Sequence, residues 1–146
     1  MAVENCIGDE AEIRRLDKVW SDSASKGIAN IDTTVSIYGP NATLVWPGQP
    51  PVHGPRAIRR AWKKAYEDFH EFHLTFTPVR IDISEAGDMA SDFGKVFMAW
   101  TETKKVKGRT VKQRVKAKAK YVVVWTKVDG AWKVLYDSYN MNAPEA

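Results

Sequence analysis

The constraint that does most to limit the fold of this chain lies near its end, where Asp129-Gly130 separates two alternating apolar runs. Both residues of an Asp-Gly pair accept positive φ, so a two-residue turn there closes a hairpin and sets the pairing of everything on either side. With Asp129 and Gly130 in the turn, Val128 faces Ala131, Trp125 faces Val134, Val123 faces Tyr136 and Tyr121 faces Ser138. Upstream, Met89 to Thr103 reads as another long strand, with a turn near Lys107-Gly108. From Met89 to Met141 the chain is therefore three consecutive strands.

Helical signals come before the sheet. Asp9 and Glu12 form a capping-box pattern, and Ile13, Leu16 and Trp20 continue at helical spacing until Gly27. A shorter helix carries Ile31, Val35 and Tyr38 and stops at Gly39-Pro40, and Thr43 to Trp46 and Val52 to Gly54 read as two short strands. Pro55 opens a third helix at its first turn, with Ile58, Ala61, Trp62, Ala65 and Phe69 as its buried stripe. Glu71 to Glu85 follows as a strand broken by Pro78. Helices first and a long antiparallel sheet last make an α+β arrangement, in which the helices cover one face of a curved sheet. One domain is expected over residues 9–142, with flexible ends at 1–8 and 143–146.

Composition narrows the function. The 146 residues contain one cysteine, Cys6, so no disulfide framework or cysteine-based metal site is expected. No apolar run is long enough to cross a bilayer, and the first residues, with Glu4, Asp9 and Glu10, lack the pattern of a signal peptide. A soluble cytoplasmic protein is the expectation. The net charge of +4 is uneven: Lys104 to Lys120 holds nine Lys or Arg and no acid, leaving 13 basic and 18 acidic residues elsewhere. Alternation places Lys112, Arg114, Lys116, Lys118 and Lys120 on one strand face, read as a solvated face that discourages edge pairing. No aromatic residue is interleaved to stack bases, so neither nucleic acid nor membrane is expected as a partner.

Several stretches, taken in order, carry a family resemblance. They are Asn41 to Gly48 (NATLVWPG), Pro51 to Ile58 (PVHGPRAI), Gly87 to Gly94 (GDMASDFG), Asp129 to Val134 (DGAWKV) and Asp137 to Asn140 (DSYN). Over roughly Glu10 to Asn142 the chain resembles the NTF2-like superfamily in its SnoaL-like and DUF4440 branch. The resemblance implies a cone-shaped barrel with a hydrophobic pocket at its open end, dimerising through the outer sheet face. Its relatives include isomerases, cyclases, dehydratases, lyases on aromatic compounds and binding domains, so the fold alone does not name a reaction.

The hairpin register selects the candidate site. One face carries Ala119, Tyr121, Val123 and Trp125 against Val134, Tyr136, Ser138 and Asn140, and the preceding turn adds Ala90, Asp92, Gly94, Val96, Met98 and Trp100. Asp92 is the lone carboxyl on this stripe. Burial raises the pKa of a carboxyl group, which suits proton transfer near neutral pH, so Asp92 is the expected general acid or base. Tyr136, in its row, is the expected donor to a developing oxyanion. Trp20, Trp46, His53, Gln113, Tyr121, Ser138 and Asn140 complete the expected substrate contacts. His73 and Asp137 stand in reserve: a bulge at Pro78 would turn Leu74 and Phe76 inward instead of His73, and the register puts Asp137 outside, diagonal to Lys120, although the family often shows an acid there. His70 and His73 point to opposite strand faces and predict no metal site. The sum is a cofactor-independent acid/base enzyme of isomerase, lyase, dehydratase or cyclase type on a hydrophobic, aromatic or polycyclic small molecule. The alternative is a non-catalytic ligand-binding or oligomerisation domain.

Overall fold

A computed structural model describes the backbone of residues 2–142 and the side chains of residues 8–142. The expected flexible C-terminus, 143–146, lies outside the described residues. Three α-helices, α1 (Ala2–Ser25), α2 (Ile31–Ser36) and α3 (Pro55–Asp68), pack on one curved sheet of six strands. The strands are β1 (Tyr38–Val45), β2 (Val52–His53), β3 (His70–Ile83), β4 (Met89–Val106), β5 (Arg109–Val128) and β6 (Ala131–Met141). Their order across the sheet is β2-β1-β6-β5-β4-β3, antiparallel except where β1 runs parallel to β6. The sheet does not close, and the expected α+β cone is present.

Two boundaries differ from expectation for physical reasons. Helix α1 starts at Ala2, so Asp9 is inside it and does not cap it; its carboxylate accepts from Trp132 Nε1 at 3.0 Å and pairs with Lys127 at 3.2 Å. Tyr38, Gly39 and Pro40 belong to β1, because the chain there pairs with β6 and a Gly-Pro is tolerated at such a strand start.

The open edge of the sheet at β3 is covered by α1. Ser21 Oγ accepts from the Phe76 amide, and Ser25 Oγ accepts from the Leu74 amide and donates to the Leu74 carbonyl, all within 3.0 Å. Two serines one helical turn apart thus satisfy backbone groups that would otherwise invite another strand. Between Pro78 and Arg80 the register shifts, which turns Phe72, Leu74 and Phe76 inward and leaves His73 exposed. The bulge expected at Pro78 is there.

The turns at Lys107-Gly108 and Asp129-Gly130 also stand where expected, with both non-glycine residues at positive φ. Trp125 faces Val134 as derived. Beyond that pair the register of β6 departs from expectation. A bulge leaves Leu135 without a partner, so Val124 faces Tyr136, Val123 faces Asp137 and Tyr121 faces Tyr139. Adding one residue to a strand of period two exchanges its faces. Trp132 and Val134 point inward before the bulge; Asp137 and Tyr139 point inward after it.

Gly94 is required by packing. A Cβ there would lie 2.6 Å from Tyr121 Oη and closer still to the Thr77 carbonyl. Gly94→Ala is expected to lower stability by about 3 kcal/mol, a Tm drop of roughly 6–12 °C, measured by thermal unfolding.

Candidate active site

Between α3 and the concave face of the sheet lies a cavity of about 410 Å³. Its walls include Trp46, Trp62, Phe72, Phe76, Val96, Met98 and Trp100, with Lys64, Asp68 and Gln49 among the polar lining. Each wall has a local cause. Trp62 is on the buried stripe of α3, Phe72 and Phe76 are turned in by the β3 bulge, and Val96, Met98 and Trp100 are alternate residues of β4. Trp46 stands edge-on to Trp62, with ring centroids 5.1 Å apart.

One carboxyl group lies deep in this wall. Asp137 is 3% exposed, and two donors converge on its Oδ2: Tyr38 Oη at 2.6 Å and Trp46 Nε1 at 3.1 Å. Trp62 Nε1 donates in turn to Tyr38 Oη at 3.1 Å. Because both bonds use Oδ2, Oδ1 is the oxygen left for a molecule in the cavity. Burial pushes the Asp137 pKa up to about 6, with the Tyr38 and Trp46 bonds pulling the other way. Tyr38 is pushed well above the usual phenol value by burial and then by Asp137, so it stays a donor. Two residues on, Tyr139 lines the same cavity, its pKa pushed up to about 12 by burial and by the Asp137 charge. The cavity wall thus holds a carboxyl group poised near neutrality beside a phenol that keeps its proton.

The expected site residues fall into three places. Trp46 and Asp137 line the cavity. Asp92, Tyr121 and Trp20 point inward but lie in the packed core behind it: Asp92 is fully buried and accepts from Tyr121 Oη at 3.0 Å and Trp125 Nε1 at 3.1 Å, and Trp20 packs edge-on to Tyr38 and Trp125. Tyr136, Ser138 and Asn140 are on the outer side of β6, and Tyr136 is 47% exposed, so the expected Asp92–Tyr136 row does not form. His53 and Gln113 are exposed; His53 Nδ1 lies 2.8 Å from Thr43 Oγ1. His73 is exposed beside Thr75. The outer position expected for Asp137, diagonal to Lys120, is not taken up, since the bulge carries Asp137 to the other face and Lys120 donates to the Met141 carbonyl.

Tyr38, Trp62 and Tyr139 were not anticipated. For Tyr139 the one trace was the parity of β6: inward apolar residues are even before Leu135 and odd from Tyr139 to Met141. That change marks a bulge. No cluster of three or more metal-ligating side chains occurs among the described residues.

Apart from Asp137, a pair of acids sits in the core. Asp17 of α1 is 1% exposed, and neither of its oxygens meets a donor from elsewhere in the protein. Its neighbour is the Asp92 carboxyl group, and two carboxyl groups can bond only through a proton. Burial first, then Asp92, pushes the Asp17 pKa up to about 10, against a small opposing pull from Arg14.

The family model described as a SnoaL-like domain matches residues 7–136. The chain belongs to the SnoaL-like family of the NTF2-like superfamily. Solved structures of this fold agree. The hexachlorocyclohexane dehydrochlorinase LinA-type3 of Novosphingobium barchaimii LL02 is 20% identical, with a TM-score of 0.76 over 94% of this chain and 88% of that one. A candidate scytalone dehydratase of Novosphingobium aromaticivorans is 15% identical, with a TM-score of 0.79 over 97% and 89%. A ketosteroid isomerase-like protein of Erwinia carotovora atroseptica is 18% identical, with a TM-score of 0.69 over 92% and 96%. No curated protein sequence matches. At these identities the SnoaL-like chain shares their fold, and its own residues must supply the chemistry.

Proposed function

We propose that this SnoaL-like protein is a cofactor-independent acid/base enzyme acting on a hydrophobic, aromatic or polycyclic small molecule held in the cone. The observation that carries the reading is Asp137: a buried carboxyl group with one oxygen fixed by Tyr38 and Trp46 and the other available to an aromatic-walled cavity. Ionised Asp137 takes a proton from substrate carbon next to an electron-withdrawing group. Tyr139 donates a hydrogen bond to the oxygen that gains charge, and the proton on Asp137 is returned to another carbon or to a leaving group. Isomerisation, elimination and cyclisation all share that first step. The named relatives include a dehydrochlorinase and an isomerase-like protein, which supports this class of chemistry without naming the substrate.

The test is deuterium exchange. Carbonyl-bearing aromatic compounds incubated with the protein in heavy water are expected to gain deuterium at acidic carbon positions, read by mass spectrometry. A ligand that binds tightly and emerges without deuterium would support the non-catalytic binding domain instead. Trp46→Phe removes one hydrogen bond from the Asp137 carboxylate, so the Asp137 pKa rises. The acidic limb of the pH–rate profile should move up by about one unit, since a bond to a charged group is worth ~1.5–3 kcal/mol before water compensates.

We also propose a homodimer through the outer sheet face, where Phe93, Val122 and Tyr136 are each about half exposed on neighbouring strands. Light scattering should report twice the chain mass, and Val122→Glu should halve it.

A further inference from the structure

The hairpin of β4 and β5 is longer than the sheet that supports it. Pairing of β3 with β4 ends at Thr101, and pairing of β6 with β5 ends at Ala119. Residues 102–106 and 109–113 therefore form a two-stranded ribbon with no strand beside it among the described residues, reaching about 17 Å past the sheet. A free two-stranded ribbon is marginal in water. This one also has two unlike faces. One carries Lys105 and Lys112 with Thr103 and Thr110, and runs on into the sheet as Arg114 and Lys116 with Thr101. The other carries Val106 and Val111 together with Glu102, Lys104 and Arg109, and runs on into the sheet as Trp100 and Val115; Val106 is 44% exposed and Val111 40%.

The ribbon springs from the end of the cavity. Trp100 lines that cavity, stacks edge-on with Phe69 at 5.0 Å, and is tied to the ribbon through Nε1 donating to Glu102 Oε1 at 2.9 Å. The wall of a greasy pocket thus continues, through Trp100, into the root of a basic arm with exposed valines near its tip.

We propose that this ribbon docks on an anionic lipid surface, its valines entering the interface and its lysines and arginines meeting the headgroup charge, so that the cavity faces the bilayer as a source of hydrophobic ligand. Lys104, Lys105, Lys107, Arg109 and Lys112 on the ribbon and its turn, with no acid from there to Lys120, supply the electrostatic complement. Val106 and Val111 flank the turn and supply the apolar contact that such docking needs. A second copy is a poorer partner, because two ribbons of this charge repel when brought together by a two-fold axis. A nucleic acid would use the cations but leave the valines in water, and the basic face has no aromatic residue between Arg109 and Lys120 on which bases could stack.

The experiment is co-sedimentation of the full chain with vesicles of equimolar phosphatidylcholine and phosphatidylglycerol, with phosphatidylcholine vesicles and duplex DNA as the other arms. Binding to the anionic vesicles is expected to exceed binding to the neutral ones by at least about tenfold at low salt, and to fall steeply as salt rises toward about 0.5 M. Joint replacement of Lys105, Lys107, Lys112 and Lys116 by Ala should lower anionic-vesicle binding by about tenfold or more, and Val106→Ser with Val111→Ser by about threefold or more. Equal partition to both vesicle types, no partition to either, or duplex DNA bound more tightly than anionic vesicles would overturn the proposal. Vesicle binding needs no turnover, so its failure leaves the acid/base reading intact.

Discussion

Asp137→Asn is expected to lower turnover by at least about 10²-fold, the usual contribution of a positioned general base, while the protein becomes more stable above pH 6. The amide oxygen can still accept from Tyr38 Oη and Trp46 Nε1, so the bonds that hold the site survive. What disappears is the proton acceptor facing the cavity. The stability change follows from the raised pKa. Unfolded, the carboxyl group titrates near 3.8; folded, near 6. Between those values the native state retains a proton that the unfolded chain releases, so Asp137 favours folding fully only below the lower value, and that contribution is lost as pH rises through about 6. Above pH 6 the loss is roughly 3 kcal/mol by linkage. The asparagine variant escapes it. Denaturant unfolding should therefore show the variant and parent alike near pH 4 and the variant ahead near pH 8, while the exchange assay shows it dead. An active variant would remove Asp137 from the chemistry, and an inactive variant that is also unfolded at pH 8 would contradict the hydrogen-bond arrangement.

The same pKa sets the expected pH dependence of the parent enzyme. If ionised Asp137 is the base, kcat/KM rises with pH to a plateau above about 6. Trp46→Phe moves that limb upward. A function that depends on a buried, destabilised acid is a familiar reason for a site to oppose stability.

The sequence carried the fold further than the site, and one residue explains the gap. Asp129-Gly130 and Lys107-Gly108 are local turn signals, readable because a positive φ restricts residue choice, and they correctly aligned β4 with β5 and the first part of β6. Asp92 was found inward and buried by the same reasoning. A bulge has no local turn signature of that kind, and the change of parity along β6 is its one trace. Leu135 is an ordinary strand residue, and its displacement is decided by how β6 packs between β1 and β5, so every position after it was assigned to the wrong face. Asp137 and Tyr139 were lost to the outside and Tyr136 brought in for that reason alone. Tyr38 was hidden differently: helix spacing extended through it, whereas pairing with β6 makes it the first residue of β1. Asp17 sits on a helix face whose partner, Asp92, is 75 residues away, and no local pattern reports such a meeting.

That meeting leads to the second large effect. Asp17→Asn should stabilise the protein at neutral pH and flatten its pH dependence, whereas Asp92→Asn should destabilise it. Asp17 keeps its proton in the fold because two buried carboxylates cannot both be charged, and its pKa stands near 10 against 3.8 when unfolded. Stability tied to this group is complete below about 3.8 and declines as pH climbs toward 10, the unfolded chain being the one that gives up the proton. By pH 7 much of it is gone, because the unfolded chain has released the proton that the fold still holds. An asparagine at 17 offers an N–H to Asp92 at every pH without borrowing a proton, and should recover about 2 kcal/mol of that. Asp92 has the opposite role: it is the acceptor for Tyr121 Oη, Trp125 Nε1 and Asp17 together. An amide there turns one acceptor oxygen into a donor facing another donor, and a buried mismatch of that kind lowers stability by about 2–4 kcal/mol. Urea unfolding of both variants at pH 5 and pH 9 separates the cases. Equal losses in the two variants would mean that the acids do not share a proton, and a gain from Asp92→Asn would reverse which of them holds it.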